Sequence, residues 1–141
     1  MIAMTLEQHQ IALYSKIKVA YNLLKAYKPK NDRTWKSYFE DDTKIESYKM
    51  LIVNYVVALL GNRKNDKCSF NLNYPSELAD FRKNNADNIE NLEVIRDKVY
   101  SHFDLDYVEK SKLMSYEFIE QCIDFISVIV DKINKAHNYW L

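Results

Sequence analysis

Glycine and proline are almost absent from this chain, and their scarcity limits the folds that it can adopt. The 141 residues include one glycine, Gly61, and two prolines, Pro29 and Pro75. β-Sandwiches and barrels use these residues in many tight turns, which this chain cannot supply. Hydrophobic residues make up 48% of the sequence, which is enough to build a buried core. We therefore predict an all-α fold, with a single helical domain over residues 1–141.

Four segments carry apolar residues at helical spacing. They cover about 5–27, 43–60 and 76–103, and a last segment that starts at Ser111 or Ser115. Because short to medium loops join them, the four helices predict an antiparallel four-helix bundle. The aromatic patch at residues 35–39 is expected to add a short helical turn that caps one end of the core.

Local signals mark several of the predicted helix ends. Thr5 and Gln8 have the spacing of a capping box, and Gly61 is a typical C-terminal stop for the second helix. Ser76 is expected to cap the third helix. The asparagine-rich stretch 84–88 is weak helix-forming sequence, so we expect a kink or a break there.

The segment between the second and third helices, residues 62–75, is polar and rich in turn-forming residues. We interpret it as an exposed loop. Its Arg63, Lys64 and Lys67 can contact an anion, but charged loops usually face solvent.

The last helix is the most apolar one. Between Phe118 and Ile133 the sequence predicts apolar residues over most of the helix circumference. Such a helix is either central to the bundle or covered by a second copy of the chain. A homodimer is therefore one expectation.

Charge and cysteine content exclude several classes of protein. The chain has 20 Lys+Arg and 20 Asp+Glu residues, whereas a protein that coats DNA needs a large basic excess. Cys68 and Cys122 lack the spacing of a metal site or a disulfide scaffold, so we predict neither a metal nor another cofactor. Neither a signal pattern nor a membrane-length apolar run is visible, which makes the reducing cytoplasm the default location, with no membrane partner.

The segment at residues 95–104 has the highest density of groups that can handle protons or phosphate. It contains Arg96, Asp97, His102 and Asp104, and His102 is one of only three histidines in the chain. Histidine titrates near neutrality, and an arginine beside it can neutralise a phosphate. Together they can in principle cleave RNA without a metal, through attack of the ribose 2′-hydroxyl that leaves a 2′,3′-cyclic phosphate.

Helix geometry restricts how Arg96 and His102 can meet. Six residues at about 100° each place the two side chains roughly 120° apart on a straight α-helix. Either the helix ends or bends before His102, or a second chain completes the site. The alternative is that these residues and the two aspartates form only a charge network at a helix C-terminus, where cations are stabilising.

The pattern of an arginine, a polar residue and then a histidine resembles the motif of the HEPN superfamily. Five residues separate Arg96 from His102, and Asp97 fills the polar position. The continuation through Asp104 is similar to the AbiU2-like branch, which is associated with abortive infection in bacteria. The resemblance implies a homodimeric four-helix domain whose Arg–His pairs face each other across a cleft. It further implies a metal-independent endoribonuclease of a toxin–antitoxin or antiphage system, with Arg96 and His102 catalytic and Asp97 supporting.

One position departs from a related subgroup. Family members paired with nucleotidyltransferase antitoxins carry a tyrosine two positions after the histidine, whereas this chain has Asp104 there and its nearest downstream tyrosine is Tyr107. Regulation by tyrosine modification is therefore not expected. Asp104, a second supporting residue, places a carboxylate close to the phosphate site. It motivates an alternative function, a non-catalytic dimeric module that binds RNA, a nucleotide or a partner protein.

Overall fold

Helices dominate the structure, a computed structural model that describes residues 3–30, 34–100 and 114–137. Within these ranges there is no β-strand. The helices are α1 (Leu6–Ala26), α2 (Trp35–Leu60), α3 (Pro75–Asn84), α4 (Ala86–Ile95) and α5 (Tyr116–His137), with a π-helical segment at Arg96–Tyr100. The all-α prediction is confirmed.

The start of α1 is the predicted capping box. The backbone amide of Gln8 donates to the Thr5 hydroxyl at 3.2 Å, and the amide of Thr5 donates to the Gln8 side chain at 3.0 Å. Two of the amides that every helix N-terminus leaves unpaired are thereby satisfied. The helix ends at its C-cap Tyr27, where the sequence predicts it.

The predicted start of α2 near Thr43 is wrong, and so is the separate helical turn at residues 35–39. The helix begins at Trp35, and the Thr34 hydroxyl accepts a hydrogen bond from the amide of Ser37 at 3.2 Å. The aromatic residues of the first turns are exposed. They therefore do not cap the core, and they interrupt the apolar period that marks the rest of the helix.

The expected break in the asparagine-rich stretch is present. Asn85 separates α3 from α4, and its side-chain amide donates to the carbonyl oxygen of Phe81 at 2.9 Å. Such local hydrogen bonds compete with the helical ladder. The predicted cap at Ser76 is wrong, because Pro75 occupies the first helical position, where its missing N–H costs nothing.

One cluster of buried apolar side chains joins the helices. α1 packs against α2 and α5, and α4 and the π-helical segment pack against α2. α3 reaches α5 through Phe81, whose ring stacks on Phe125 with centroids 4.3 Å apart. The π-helical segment is therefore held on the face of α2.

The apolar face of α5 is narrower than predicted. α5 begins at Tyr116, and the Ser115 hydroxyl accepts from the amide of Phe118 at 3.1 Å, which makes Ser115 the cap. Side chains such as Ile126 are buried on one face, while Glu120 and Asp124 are exposed on the other. None of the helices within the described ranges combines the length and apolar character that crossing a bilayer requires.

Candidate functional site

Arg96 is the first residue of the π-helical segment. α-Helical geometry ends at Ile95, and the Arg96 amide donates to two carbonyl oxygens of α4, those of Leu92 and Glu93. Ile95 and Val99 are buried, so one side of this wider turn is anchored in the core. Single π-helical turns are rare and occur frequently at functional sites.

Asp97 fixes the guanidinium of Arg96. The Arg96 Nε donates to Asp97 Oδ1 at 2.9 Å, and Arg63 Nη2 donates to Asp97 Oδ2 at 3.0 Å. Partial burial raises the pKa of the Asp97 carboxyl, but the hydrogen bonds from Arg96 and Arg63 outweigh burial and bring this pKa below its ordinary value of 3.8. Asp97 is therefore ionised at neutral pH and holds both arginines.

The Arg96–Asp97 pair is part of a larger group, which we call the arginine–carboxylate network: Arg63, Arg82, Glu93, Arg96 and Asp97. Arg63 lies 3.7 Å from Glu93, and Arg82 Nη2 lies 3.2 Å from the other oxygen of Glu93. Arg82 Nη1 also donates to the last carbonyl of α2, that of Leu60, at 2.6 Å. Three guanidinium groups thus face the two carboxylates of the network, and the nearby Asp66 carboxylate, which also acts on Arg63, brings the local charges into balance.

The loop that supplies Arg63 is ordered by its own contacts. The amide of Arg63 donates to Asp66 Oδ2 at 2.7 Å, and the Ser69 hydroxyl donates to the carbonyl oxygen of Gly61. Phe70 is fully buried, and its amide donates to the Leu59 carbonyl at 2.9 Å. The expectation of an exposed loop holds at Arg63, which is half-exposed although it is paired with two carboxylates, and is wrong at Ser69 and Phe70, which are buried.

Sequence reasoning named Arg63 only as one of three loop cations that can contact an anion, and it did not identify Arg82 or Glu93. A partial signal was present, because Glu93 and Asp97 are four positions apart and helical residues at that spacing share a face. That spacing offers two acceptors to a cation from elsewhere. The spacing does not identify the cation, because Arg63 contacts the two carboxylates from a distant part of the sequence.

The far end of the π-helical segment contacts a second charged group. The Tyr100 hydroxyl donates to Glu46 Oε2 of α2 at 3.3 Å. The Lys49 ammonium lies 3.7 Å from the other oxygen of Glu46, and Lys49 is buried. Hence both ends of the segment are attached to neighbouring elements by polar contacts.

The structure describes two of the four predicted site residues, and these two lie together. Arg96 and Asp97 form the hydrogen-bonded pair, whereas His102 and Asp104 lie outside the described residues. The offset of about 120° assumes a straight α-helix, and this assumption does not hold over Arg96–Tyr100. Within the described ranges, no group of three or more His, Cys, Asp or Glu side chains could hold a metal ion.

Comparisons of the chain with family models, with characterised proteins and with solved structures found no match. Any functional inference therefore depends on the residues of the chain itself and on their geometry.

Proposed function

We propose that the protein is a homodimeric, HEPN-like four-helix bundle that cleaves RNA without a metal ion, with Arg96 and His102 as the catalytic pair. The observation that carries this proposal is the geometry of Arg96. This residue opens a π-helical turn, and its orientation is set by Asp97, which fills the polar position of the motif. Both features fit an arginine that must hold one orientation.

The guanidinium of Arg96 keeps donors for a ligand. Asp97 takes only Nε, and among the described residues the two terminal nitrogens of Arg96 have no hydrogen-bond acceptor. These nitrogens are the pair that contacts the oxygens of a phosphate in a fork geometry.

In the proposed reaction, the ribose 2′-oxygen attacks the adjacent phosphorus, and the bond from phosphorus to the 5′-oxygen breaks. An imidazole of His102 accepts the 2′-hydroxyl proton, and the His102 imidazolium of the second copy donates a proton to the leaving 5′-oxygen. Arg96 stabilises the charge that builds up on the phosphate oxygens. The products are a 2′,3′-cyclic phosphate and a free 5′-hydroxyl.

The test is RNA cleavage in EDTA, with tRNA and mRNA as substrates. We expect wild-type protein to leave cyclic phosphate ends, and His102→Ala to reduce the rate by about 10²–10⁴-fold, because that is the usual contribution of acid–base catalysis. Arg96→Ala should also lose activity while keeping the helical circular dichroism spectrum. His9→Ala, an exposed histidine of α1, is the matched control and should cleave normally. If wild-type protein leaves these RNAs intact, the proposal is wrong.

The dimer requires its own measurement. Sedimentation equilibrium should give twice the mass of one chain, because the proposed site needs a histidine from each copy. Expression in bacteria should arrest growth, and His102→Ala should relieve the arrest, as expected of a cytoplasmic toxin or antiphage enzyme with a neutralising partner. A monomer that cleaves RNA would contradict the shared cleft.

A second candidate function is a non-catalytic dimeric module that binds RNA, a nucleotide or a protein. The observation that favours it is the burial of Arg96, whose side chain is only 18% exposed and is already ion-paired. A charge network of that kind can serve stability alone. Binding of RNA without any cleavage, unchanged in His102→Ala, would favour this candidate over the nuclease.

A further inference from the structure

Three aromatic side chains are exposed at the start of α2. Trp35, Tyr38 and Phe39 are 76%, 60% and 56% exposed. Their rings contact one another, with centroids 6.0 Å apart for Trp35 and Phe39 and 5.4 Å apart for Tyr38 and Phe39. Apolar clusters of this kind on a protein surface commonly mark a binding site.

The cluster borders a cavity of about 580 Å³ between the start of α2 and the segment that follows α1. The side chains around it are mostly aromatic or basic: Tyr27, Lys30, Trp35, Lys36, Phe39, Glu40, Thr43 and Lys44. We call this the aromatic–lysine cavity. Three lysines and one glutamate give it two excess positive charges, although the chain as a whole has none.

The lysines of the cavity differ in how they are engaged. Lys30 lies 2.7 Å from Glu40, and the Lys44 ammonium lies over the Tyr27 ring at 5.8 Å from its centroid. Lys36 has no ion-pair partner among the described residues. It also lies in the first turn of a helix, where a cation is unfavourable, and no acidic residue offsets it there.

Two local sequence preferences are therefore not met at the start of α2. An unpaired lysine occupies a helix N-terminus, and a tryptophan at the adjacent position is exposed. Positions that depart from local preferences without a compensating contact are expected at functional sites.

The combination of residues selects the ligand. Successive bases stack on aromatic side chains, and lysines beside them contact the phosphates, in proteins that bind single-stranded nucleic acid. A protein partner would account for the exposed aromatic side chains, which are enriched in protein–protein interfaces, but not for the lysines, which are depleted there. Duplex RNA fits less well too, since its bases are already stacked and inaccessible.

We propose that the aromatic–lysine cavity binds single-stranded RNA, with one base stacked on Trp35 and the next on Phe39, whose rings are inclined by 70° to each other, and with Lys36 and Lys44 on the flanking phosphates. The choice of RNA as the nucleic acid rests on the proposed function. The cavity lies on the same helix as Glu46, the partner of Tyr100. Phe39 and Glu46 are seven positions apart on α2, or about 10 Å along the axis, so the cavity lies toward the Tyr100 end of the π-helical segment.

The fluorescence of Trp35 reports directly on this site. In a Trp140→Phe variant, Trp35 is the only tryptophan of the chain. We expect a single-stranded RNA of about eight nucleotides, made uncleavable by 2′-O-methylation, to quench this fluorescence to saturation. A duplex of the same sequence should quench it at least about tenfold more weakly, because its bases cannot leave the stack without cost.

Matched substitutions separate the cavity from the rest of the surface. Phe39→Ala and Lys36→Glu should each weaken the single-strand affinity by roughly tenfold or more, from the loss of a stacking platform or a phosphate contact. Leu72→Ala removes an equally exposed apolar side chain, and Lys132→Glu reverses an exposed lysine of α5. Both controls should bind like the parent protein.

The outcomes distinguish this inference from the nuclease proposal. Saturable quenching that His102→Ala retains supports the cavity, whether or not the wild-type protein cleaves RNA. Cleavage without quenching of Trp35, or equal losses in the control variants, overturns the cavity and leaves the nuclease standing. A change of sedimentation in Phe39→Ala with unchanged RNA affinity also overturns it, because the cluster would then be a protein contact.

Discussion

Asp97 shares its two carboxylate oxygens between two arginines, one at the adjacent position and one in the loop after α2. If the Asp97 carboxylate had Arg96 as its only partner, the two side chains could rotate together. Because Arg63 holds the second oxygen, Asp97 is fixed from both sides and Arg96 keeps a single orientation. Arg63 is therefore a positioning residue for the proposed phosphate contact.

The low pKa of Asp97 makes part of the stability depend on pH. Partial burial raises this pKa, but hydrogen bonds from Arg96 and Arg63 lower it below 3.8 in the folded state. The stabilisation is therefore fully present above the unfolded pKa and is lost as pH falls through the lower folded value. We expect Asp97→Asn to reduce the free energy of unfolding by about 1 kcal/mol at pH 7, a value discounted for solvent screening.

Urea unfolding at a series of pH values measures this effect. The difference between wild type and Asp97→Asn should shrink below about pH 4, where the unfolded aspartate takes up its proton. A difference that stays constant down to pH 2 would contradict the ion-pair explanation. Asp87→Asn, an exposed aspartate in the first turn of α4, is a control without these arginine partners.

Arg82 links three elements, and replacing it should destabilise the protein more than replacing Asp97. It donates to the Leu60 carbonyl at the end of α2 and pairs with Glu93, whose side chain is only 12% exposed. We expect Arg82→Ala to lower the free energy of unfolding by about 2 kcal/mol, since hydrogen bonds to charged groups contribute roughly that much. Lys83→Ala, at the exposed next position, should change it by no more than about 0.5 kcal/mol. Equal effects in the two variants, measured by urea unfolding, would contradict this role for Arg82.

At the scale of elements, the end of α2 shows why the residue there must be glycine. Gly61 is the C-cap, as the sequence predicts, but its φ of −68° is open to any residue. The constraint on residue 61 is steric instead. A Cβ at this position would lie 2.9 Å from the Val57 carbonyl oxygen and would meet the Asp66 carboxylate. Asp66 in turn holds the amide of Arg63, so the close approach at Gly61 helps to place that arginine.

Gly61→Ala should therefore destabilise the protein rather than stabilise it. Replacing glycine by alanine usually stabilises a compatible site, whereas overpacking costs about 1–3 kcal/mol. We expect a loss in that range in thermal or urea unfolding, together with a weaker Arg63–Asp97 contact. Asn62→Ala, at the exposed next residue, controls for the loop itself. A gain of stability in Gly61→Ala would show that the space constraint is absent.

The elements also show which parts of the fold are readable in a sequence. The capping box of α1 and the break at Asn85 depend on neighbouring residues, so local chemistry was sufficient to predict them. The first turns of α2 were missed because Trp35 and its aromatic neighbours face solvent and give no core-facing period. In the candidate site, Arg96 and Asp97 are adjacent and were predicted together. Arg63 was not, since its contact depends on how the loop folds back.

At the scale of the whole molecule, Cys122 offers a measure of global opening. Burial in the core raises the pKa of its thiol to about 12, and a thiol reacts as its thiolate. In a Cys68→Ser variant at pH 8, we expect Cys122 to resist alkylation in native buffer and to react quickly in denaturant. Rapid labelling under native conditions would show that α5 opens locally. In the wild type, Cys68 is half-buried and should react first.

The π-helical turn at Arg96–Tyr100 has a consequence for evolution and engineering alike. A turn with an i to i+5 ladder holds more backbone than an α-helical turn, so it can be viewed as a helix with an accommodated insertion. Deleting Lys98, an exposed residue inside it, would allow the α-helical ladder to run on from α4. Because the wide turn already absorbs one extra residue, the deletion would narrow the turn that begins at Arg96 to α-helical width. The loss of one codon would therefore change the setting of Arg96, the proposed phosphate-binding residue, without removing a buried side chain.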